Sequence, residues 1–261
     1  MNVTYKNPGY KHSIESILLF QTDDQTPFWS DAILHFYPQV NENELTKRNS
    51  ADRKKYLGEV FAEIYDQTEV ELDDKVLRYN AHFTKHKSQI EDALSDAFEL
   101  DAYALFNDLT GNITLNPICP RFLNERYFDV FYKNSERGAL GISIHEVIHF
   151  FWFHVWHNHF GDSYDEYETP TLKWILSEMV VETIMSDQRL RSINPYFPRE
   201  NGGCVYPYFQ DMTINGTPIL ESVNDFYRNN RITDFMEKTY AYCVKHESAI
   251  RHHILEAEKT F

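Results

Sequence analysis

The sequence lacks an excess of positive charge, and this absence narrows the partners that we expect for it. Its 261 residues include 25 Lys and Arg against 40 Asp and Glu, a formal net charge of -15 with His neutral. Nucleic acids and anionic membranes select for surfaces rich in Lys and Arg. We therefore expect neither a nucleic acid nor a membrane as the main partner, whereas basic or neutral substrates are compatible with the charge.

Cysteine is scarce as well. The three cysteines, Cys119, Cys204 and Cys243, are an odd number without a close pair or a Cys-x-x-Cys motif. Disulfide frameworks and thiolate zinc knuckles both use closely spaced, paired cysteines. We expect buried, reduced thiols instead.

Long apolar runs are also missing. No stretch approaches the roughly 18 apolar residues that a membrane-spanning helix needs, and the first ten residues do not have the basic and apolar segments of a secretory signal. We therefore expect a cytoplasmic protein. No repeat, low-complexity tract or long linker divides the chain, and a composition of 42% hydrophobic and 15% aromatic residues supplies a sizeable core.

The apolar pattern predicts helices in the first hundred residues and strands immediately after them. Stripes at helical spacing lie in residues 56–65 and 90–98, with a third candidate helix at 72–79. Residues 102–106 and 112–116 alternate and predict a β-hairpin, while Pro117 and Pro120 favour an edge position for its second strand. Such an edge could bind an extended peptide through backbone pairing, or the hairpin could simply cover the next helix.

The clearest chemical pattern is His145-Glu146-x-x-His149, set in an apolar segment that predicts a buried helix. Residues four apart lie on one helical face, so the two imidazoles can bind one metal ion, while Glu146 lies about 100° round the helix beside it. Because the chain contains 12 His, a pair of hydrogen-bonded core histidines is the alternative. Metal binding would satisfy two polar side chains that are otherwise costly in a dry core.

The flanking histidines are poorer candidates as ligands. We expect the motif helix to end between Phe153 and Trp156, so that His157 and His159 lie at or beyond its end. His154, nine residues after His145, points to the opposite side of the helix.

A second buried helix is predicted over residues 171–187, and it carries Glu178 and Glu182 among apolar neighbours. Carboxylates four apart share a face and repel each other unless a cation or a donor separates their roles. A metal ion with its histidine ligands would supply both.

These two helices together resemble those of the gluzincin zinc metallopeptidases, the group that contains thermolysin and the leukotriene-hydrolase-like aminopeptidases. The resemblance covers about residues 138–187, a fifth of the chain. It implies an α+β, predominantly helical, zincin-like metallopeptidase fold, with a small mixed sheet, an edge strand before the metal-binding helix and a helical C-terminal lobe. We place the N-terminal lobe at 1–157 and the C-terminal lobe, which supplies the third ligand, at 158–261, as one catalytic unit.

The resemblance also implies roles for individual residues. His145, His149 and Glu178 would bind one Zn²⁺, Glu146 would be the general base, and Glu182 would orient a ligand histidine from outside the coordination sphere. The chain departs from the group in one respect, because 29 positions separate His149 from Glu178, against a common spacing of roughly 20. An acidic insertion at 157–170 would account for the difference.

The expected activity is hydrolysis of peptide bonds in peptide or protein substrates by a zinc-activated water. A tyrosine or histidine from the second lobe would stabilise the oxyanion; Tyr206 and Tyr208 are the first candidates, followed by Tyr240, Tyr242 and His246. The alternatives are a non-catalytic gluzincin-like binding or structural protein, and a zinc hydrolase of a non-peptide substrate.

Overall fold

Helices account for most of the chain. A computed structural model of the protein describes residues 1–22, 27–47, 49–198, 201 and 205–259, so that Cys204 lies outside the described residues. The helices are α1 (Tyr10–Leu18), α2 (Pro27–Phe36), α3 (Glu42–Lys47), α4 (Ser50–Phe98), α5 (Glu136–Phe160), α6 (Leu172–Met185), α7 (Gln188–Arg191), α8 (Pro207–Gln210), α9 (Ile219–Arg228) and α10 (Ile232–Glu258). The strands are β1 (Val3–Lys6), β2 (Leu109–Thr114), β3 (Arg121–Phe122), β4 (Tyr127–Phe131), β5 (Thr213–Ile214) and β6 (Thr217–Pro218). The expected α+β, predominantly helical class is confirmed.

The three helical stripes predicted between residues 56 and 98 all belong to α4, which is 49 residues long. Residues 59–98 contain neither glycine nor proline, so nothing in the sequence interrupts the helix. It ends before Glu99, whose φ of 53° is a left-handed conformation typical of helix C-termini.

The chain forms two compact units, and α4 and α5 each contribute residues to both. One unit contains residues 2–84 and 108–139. Its four-stranded sheet has the order β1-β2-β4-β3, with β2 parallel to β1 and β4, and β3 antiparallel to β4. Val3 pairs with Leu109, and Thr110 pairs with Tyr127. The prediction of a small mixed sheet is therefore confirmed.

The predicted hairpin and its edge strand are wrong. Residues 102–104 form a 3-10 helix, capped by the Asp101 carboxylate, which accepts a hydrogen bond from the Tyr103 amide. The strand that follows, β2, is central, because remote strands β1 and β4 pair with both of its sides. Its backbone is therefore not available to an added peptide, and the edge strands of this sheet are β1 and β3.

The other unit contains Met1, residues 85–107 and the described residues from 140 onward. In it α6 packs against α9 and α10, and β5 and β6 form a small antiparallel pair. The long C-terminal helix, α10, is 27 residues in length. The predicted lobe boundary at residues 157 and 158 falls inside α5.

Within the described part of the chain, no helix is both long enough and apolar enough to cross a membrane.

Candidate metal centre

Helix α5 carries the His145-Glu146-x-x-His149 motif and is longer than predicted. It begins after Ser135, whose hydroxyl accepts a hydrogen bond from the Gly138 amide at 3.1 Å, as expected of an N-cap serine. It continues to Phe160 and ends at Gly161, which has a φ of 75° and whose amide donates to the His157 carbonyl at 2.8 Å. The prediction that the helix ends before His157 is therefore wrong, since a C-terminal glycine in the left-handed region sets its end.

Three polar side chains of α5 and α6 converge on one point. The Nε2 atoms of His145 and His149 lie 3.1 Å apart. The two carboxylate oxygens of Glu178 lie 3.3 Å from His145 Nε2 and 3.4 Å from His149 Nε2. Tetrahedral zinc, with nitrogen and oxygen ligands at about 2.0–2.2 Å, places neighbouring ligand atoms about 3.3–3.5 Å apart. The three side chains thus offer ligand atoms of the type and spacing that a tetrahedral zinc site has at three of its positions.

Glu146 lies close to this cluster but at a longer distance. Its Oε1 is 4.0 Å from His145 Nε2, and ligand atoms of His145, Glu146 and His149 all lie within 4.8 Å of one another. Either carboxylate could complete a triad with the two histidines. The shorter distances favour Glu178 as the third donor, because 4.0 Å exceeds the ligand separation of a tetrahedral zinc site.

The cluster is almost closed to solvent. The side chains of His149, Glu178 and Glu146 are 0%, 2% and 8% exposed, whereas that of His145 is 18% exposed. Of these four side chains, that of His145 is therefore the most accessible to solvent.

Helix α6, which positions Glu178, forms where the sequence predicts it. Its N-cap is Thr171, whose side chain accepts a hydrogen bond from the Trp174 amide. Glu178 is among its buried residues, whereas Glu182, one turn later, is half-buried. The role of Glu182 in orienting a histidine stays a prediction.

Stacked rings lie behind His149. Its imidazole is nearly parallel to the Phe153 ring, with centroids 6.4 Å apart, and Phe153 stacks on buried Tyr167 at 4.4 Å. Tyr167 belongs to the 3-10 helix Tyr164–Tyr167, within the segment interpreted as an insertion, and its hydroxyl donates to the Asp162 carbonyl at 3.3 Å. This part of the predicted insertion therefore packs into the interior and supports a histidine of the cluster.

Asp162 holds the same segment in place. Its carboxylate accepts hydrogen bonds from Trp156 Nε1 at 2.9 Å and forms an ion pair with Lys173 Nζ at 2.5 Å. Burial alone would raise the pKa of Asp162, but the bonds from Lys173 and Trp156 outweigh it and hold that pKa below its usual value.

Two of the tyrosines predicted for the site lie near Glu178. Tyr206 stacks on Tyr208 with ring centroids 5.1 Å apart, and its ring lies 5.9 Å from that of Trp174, one turn before Glu178 on α6. Burial raises the pKa of Tyr208 far above its usual value, with further contributions from Tyr206 and from the negative charge of Glu178. Tyr208 is therefore a protonated donor at neutral pH.

The remaining candidates for the oxyanion donor pack against other aromatic side chains. Tyr240 packs against Trp156 at 5.2 Å, and Tyr242 packs against Phe226 and His246. His154 packs against Phe106 at 5.5 Å, which agrees with its predicted direction away from the metal ligands.

One neighbouring segment was not predicted from the sequence. Residues 194–196 lie directly on Gly141 of α5, one turn before His145. A Cβ atom at Gly141 would lie 2.5 Å from Asn194 Oδ1, 3.0 Å from Tyr196 Cδ2 and 3.2 Å from Pro195 Cδ. A glycine within an apolar helical pattern signals such a close approach, but it does not identify the partner.

Comparisons with family models, curated proteins and solved structures gave no match for this chain.

Proposed function

We propose that the protein is a zinc-dependent metallopeptidase of the gluzincin type, with a zincin-like fold and one Zn²⁺ held by His145, His149 and Glu178. The observation that carries the proposal is the separation of 3.1–3.4 Å between their donor atoms. Two neutral imidazoles and a carboxylate are a common ligand set of catalytic zinc.

A Zn²⁺ ion held by these three residues would lower the pKa of a water to about 7 and would polarise a carbonyl group. The residues of the chain perform the other steps. Glu146, whose Oε1 lies 4.0 Å from His145 Nε2, accepts a proton from the attacking water. As the C–N bond breaks, Glu146 returns the proton to the leaving nitrogen, so that water is consumed and two products with a free carboxylate and a free amine result.

Tyr208 is the donor that we assign to the oxygen of the scissile carbonyl. Burial raises the pKa of Tyr208, with smaller contributions from Tyr206 and from Glu178, and this keeps the proton on its hydroxyl. A donor of this kind stabilises the negative charge that develops on the carbonyl oxygen in the transition state. Tyr206 stacks on the ring of Tyr208, with centroids 5.1 Å apart.

The substrate that we propose is a peptide or protein of basic or neutral character. The net charge of -15 disfavours acidic chains through long-range repulsion. The enclosed cluster excludes bulk water from the reacting groups, and the exposed part of His145 is where the peptide would approach.

The test is Glu146→Gln in the zinc-loaded protein, with zinc content measured by mass spectrometry and cleavage measured on a mixed peptide library. We expect one zinc per chain in the variant and a loss of cleavage of about 10²–10⁴-fold, because only the proton acceptor is removed. Glu237→Gln is the matched control, since Glu237 is more than half exposed and contacts His159.

Cleavage unchanged by Glu146→Gln would contradict the mechanism, and failure of the wild type to bind zinc would contradict the metal site. Zinc binding without cleavage of any peptide would favour a non-catalytic binding protein, or a zinc hydrolase of a non-peptide substrate.

A further inference from the structure

The way into the metal cluster lies beside His145, the most exposed of its four side chains. Gly141 precedes His145 by one turn of α5, so both positions lie on the same face of the helix. Helical side chains tend to tilt toward the N-terminus of their helix, which is the direction from His145 to position 141. Whatever covers Gly141 consequently borders the approach to the cluster.

The segment 194–196 covers Gly141, at distances that only a glycine permits. An added Cβ would lie 2.5 Å from Asn194 Oδ1 and 3.0 Å from the Tyr196 ring. The backbone of α5 and the Tyr196 ring are therefore in direct contact, a single helical turn from a metal ligand.

Hydrogen bonds hold this segment in a defined conformation. Asn194 is buried, and its amide donates to the Leu190 carbonyl at 3.1 Å. Its Oδ1 accepts a hydrogen bond from the Tyr196 amide at 3.0 Å, and its Nδ2 lies 3.3 Å from Met185 Sδ. Tyr196 itself is half-buried. The anchor Asn194 is therefore buried, whereas Tyr196 is partly exposed to solvent.

We propose that Tyr196 is a specificity-determining residue that contacts the substrate beside the bond to be cleaved and favours an aromatic side chain there. This inference rests on the proposed function. An aromatic ring offers a large, rigid apolar surface, and aromatic pairs gain about 0.5–1.5 kcal/mol beyond the burial of their area. Gly141 and Asn194 act through Tyr196, because they set its position without presenting their own side chains to the substrate.

The experiment uses the full-length, zinc-loaded Glu146→Gln protein, so that binding is measured without turnover. The probes are synthetic hexapeptides, blocked at both ends, that differ only in a central residue, which is Phe, Leu, Ala or Lys. Dissociation constants are measured for this background and for the same background with Tyr196→Ala or Tyr196→Phe. Tyr103→Ala is the control, since Tyr103 is exposed and its hydroxyl bonds to Asp92.

We expect Tyr196→Ala to weaken binding of the Phe peptide about 3- to 10-fold relative to the Ala peptide, as the value of an aromatic pair implies. Tyr196→Phe should keep most of the preference, and Tyr103→Ala should leave it unchanged. A merely structural role would weaken all peptides equally and would lower the melting temperature.

A ranking of peptides that Tyr196→Ala leaves unchanged would overturn the inference, and so would the absence of binding by every peptide. The proposed function fails independently, if wild-type protein cleaves none of the peptides that the Glu146→Gln protein binds with a Tyr196-dependent ranking.

Discussion

Replacing Glu178 by Gln should lower the stability of the protein in the presence of zinc but not in its absence. The carboxylate is 2% exposed and lies between two imidazoles, at 3.3 and 3.4 Å. Gln preserves the size of the side chain, removes its charge and replaces one acceptor oxygen by an NH₂ donor. The substitution therefore distinguishes between two roles of the Glu178 carboxylate, as the ligand of a cation or as the ion-pair partner of the histidines.

Without metal, a buried carboxylate whose role is to bind zinc destabilises the fold, because desolvating a charge costs several kcal/mol. We expect metal-free Glu178→Gln to be as stable as metal-free wild type, within about 1 kcal/mol, or more stable. If Glu178 instead forms a structural ion pair with the histidines, its loss should cost about 3–5 kcal/mol.

With zinc, the wild type should be more stable than Glu178→Gln. Free zinc at 100 times the dissociation constant stabilises the wild type by about 2.7 kcal/mol, which corresponds to a rise in Tm of about 5–11 °C for a chain of this size. Loss of a ligand that weakens binding by about 100-fold leaves only about 0.4 kcal/mol at the same zinc concentration, or a rise of about 1 °C.

The assay is thermal unfolding in a chelator and in buffers of defined free zinc, with Glu237→Gln as the surface control. A metal-free variant that loses about 3–5 kcal/mol, together with a wild type whose Tm does not respond to zinc, would refute the metal site and identify the cluster as a structural ion pair.

Three further predictions concern the surroundings of the site. Tyr208→Phe should retain zinc and lower kcat about 10²- to 10³-fold, measured on a cleaved peptide, because it removes one oxyanion donor; an unchanged kcat would exclude that role. Gly141→Ala should lower Tm, since overpacking costs about 1–3 kcal/mol. Gly58→Ala, the control, should raise Tm slightly, because a Cβ there meets only the Tyr10 hydroxyl, at 3.8 Å. Equal shifts in Tm for the two variants would contradict the close packing at Gly141. Asp162→Asn should destabilise the protein at neutral pH, because Lys173 and Trp156 lower the pKa of Asp162 in the fold. The difference in free energy of unfolding between wild type and variant should vanish as the pH falls through that pKa. A difference that persists below about pH 2 in urea titrations would contradict the stabilising role of the ionised carboxylate.

Local patterns predicted the helices and failed for the sheet, for a physical reason. Helical spacing is a property of neighbouring residues, and it identified segments of α4, α5 and α6. The length of α4 required only the absence of glycine and proline after Gly58. The position of β2, by contrast, depends on pairing with Val3–Lys6, more than 100 residues earlier, and local alternation contains no information about a partner at that distance.

The same distinction between local patterns and long-range contacts applies to the candidate site. The i, i+4 spacing predicted that His145 and His149 share a face, and their Nε2 atoms do lie 3.1 Å apart. The proximity of Glu178 came from the resemblance alone, because no local rule brings residues 29 positions apart together. Tyr196 was missed altogether, since its place is set by a loop that crosses Gly141 and not by any pattern in its own segment.

Charge balance gives a further reason to prefer a divalent cation over a purely structural cluster. Glu146 and Glu178 bring two carboxylates into one nearly closed site, together with two imidazoles. Two ionised carboxylates in such a site would repel each other, and their burial would carry a desolvation cost that neighbouring imidazoles offset only in part. A single Zn²⁺ would balance both charges, and the shorter distances to the imidazoles favour Glu178 over Glu146 as its ligand. The role in proton transfer that we propose for Glu146 is consistent with its place beside the two histidines.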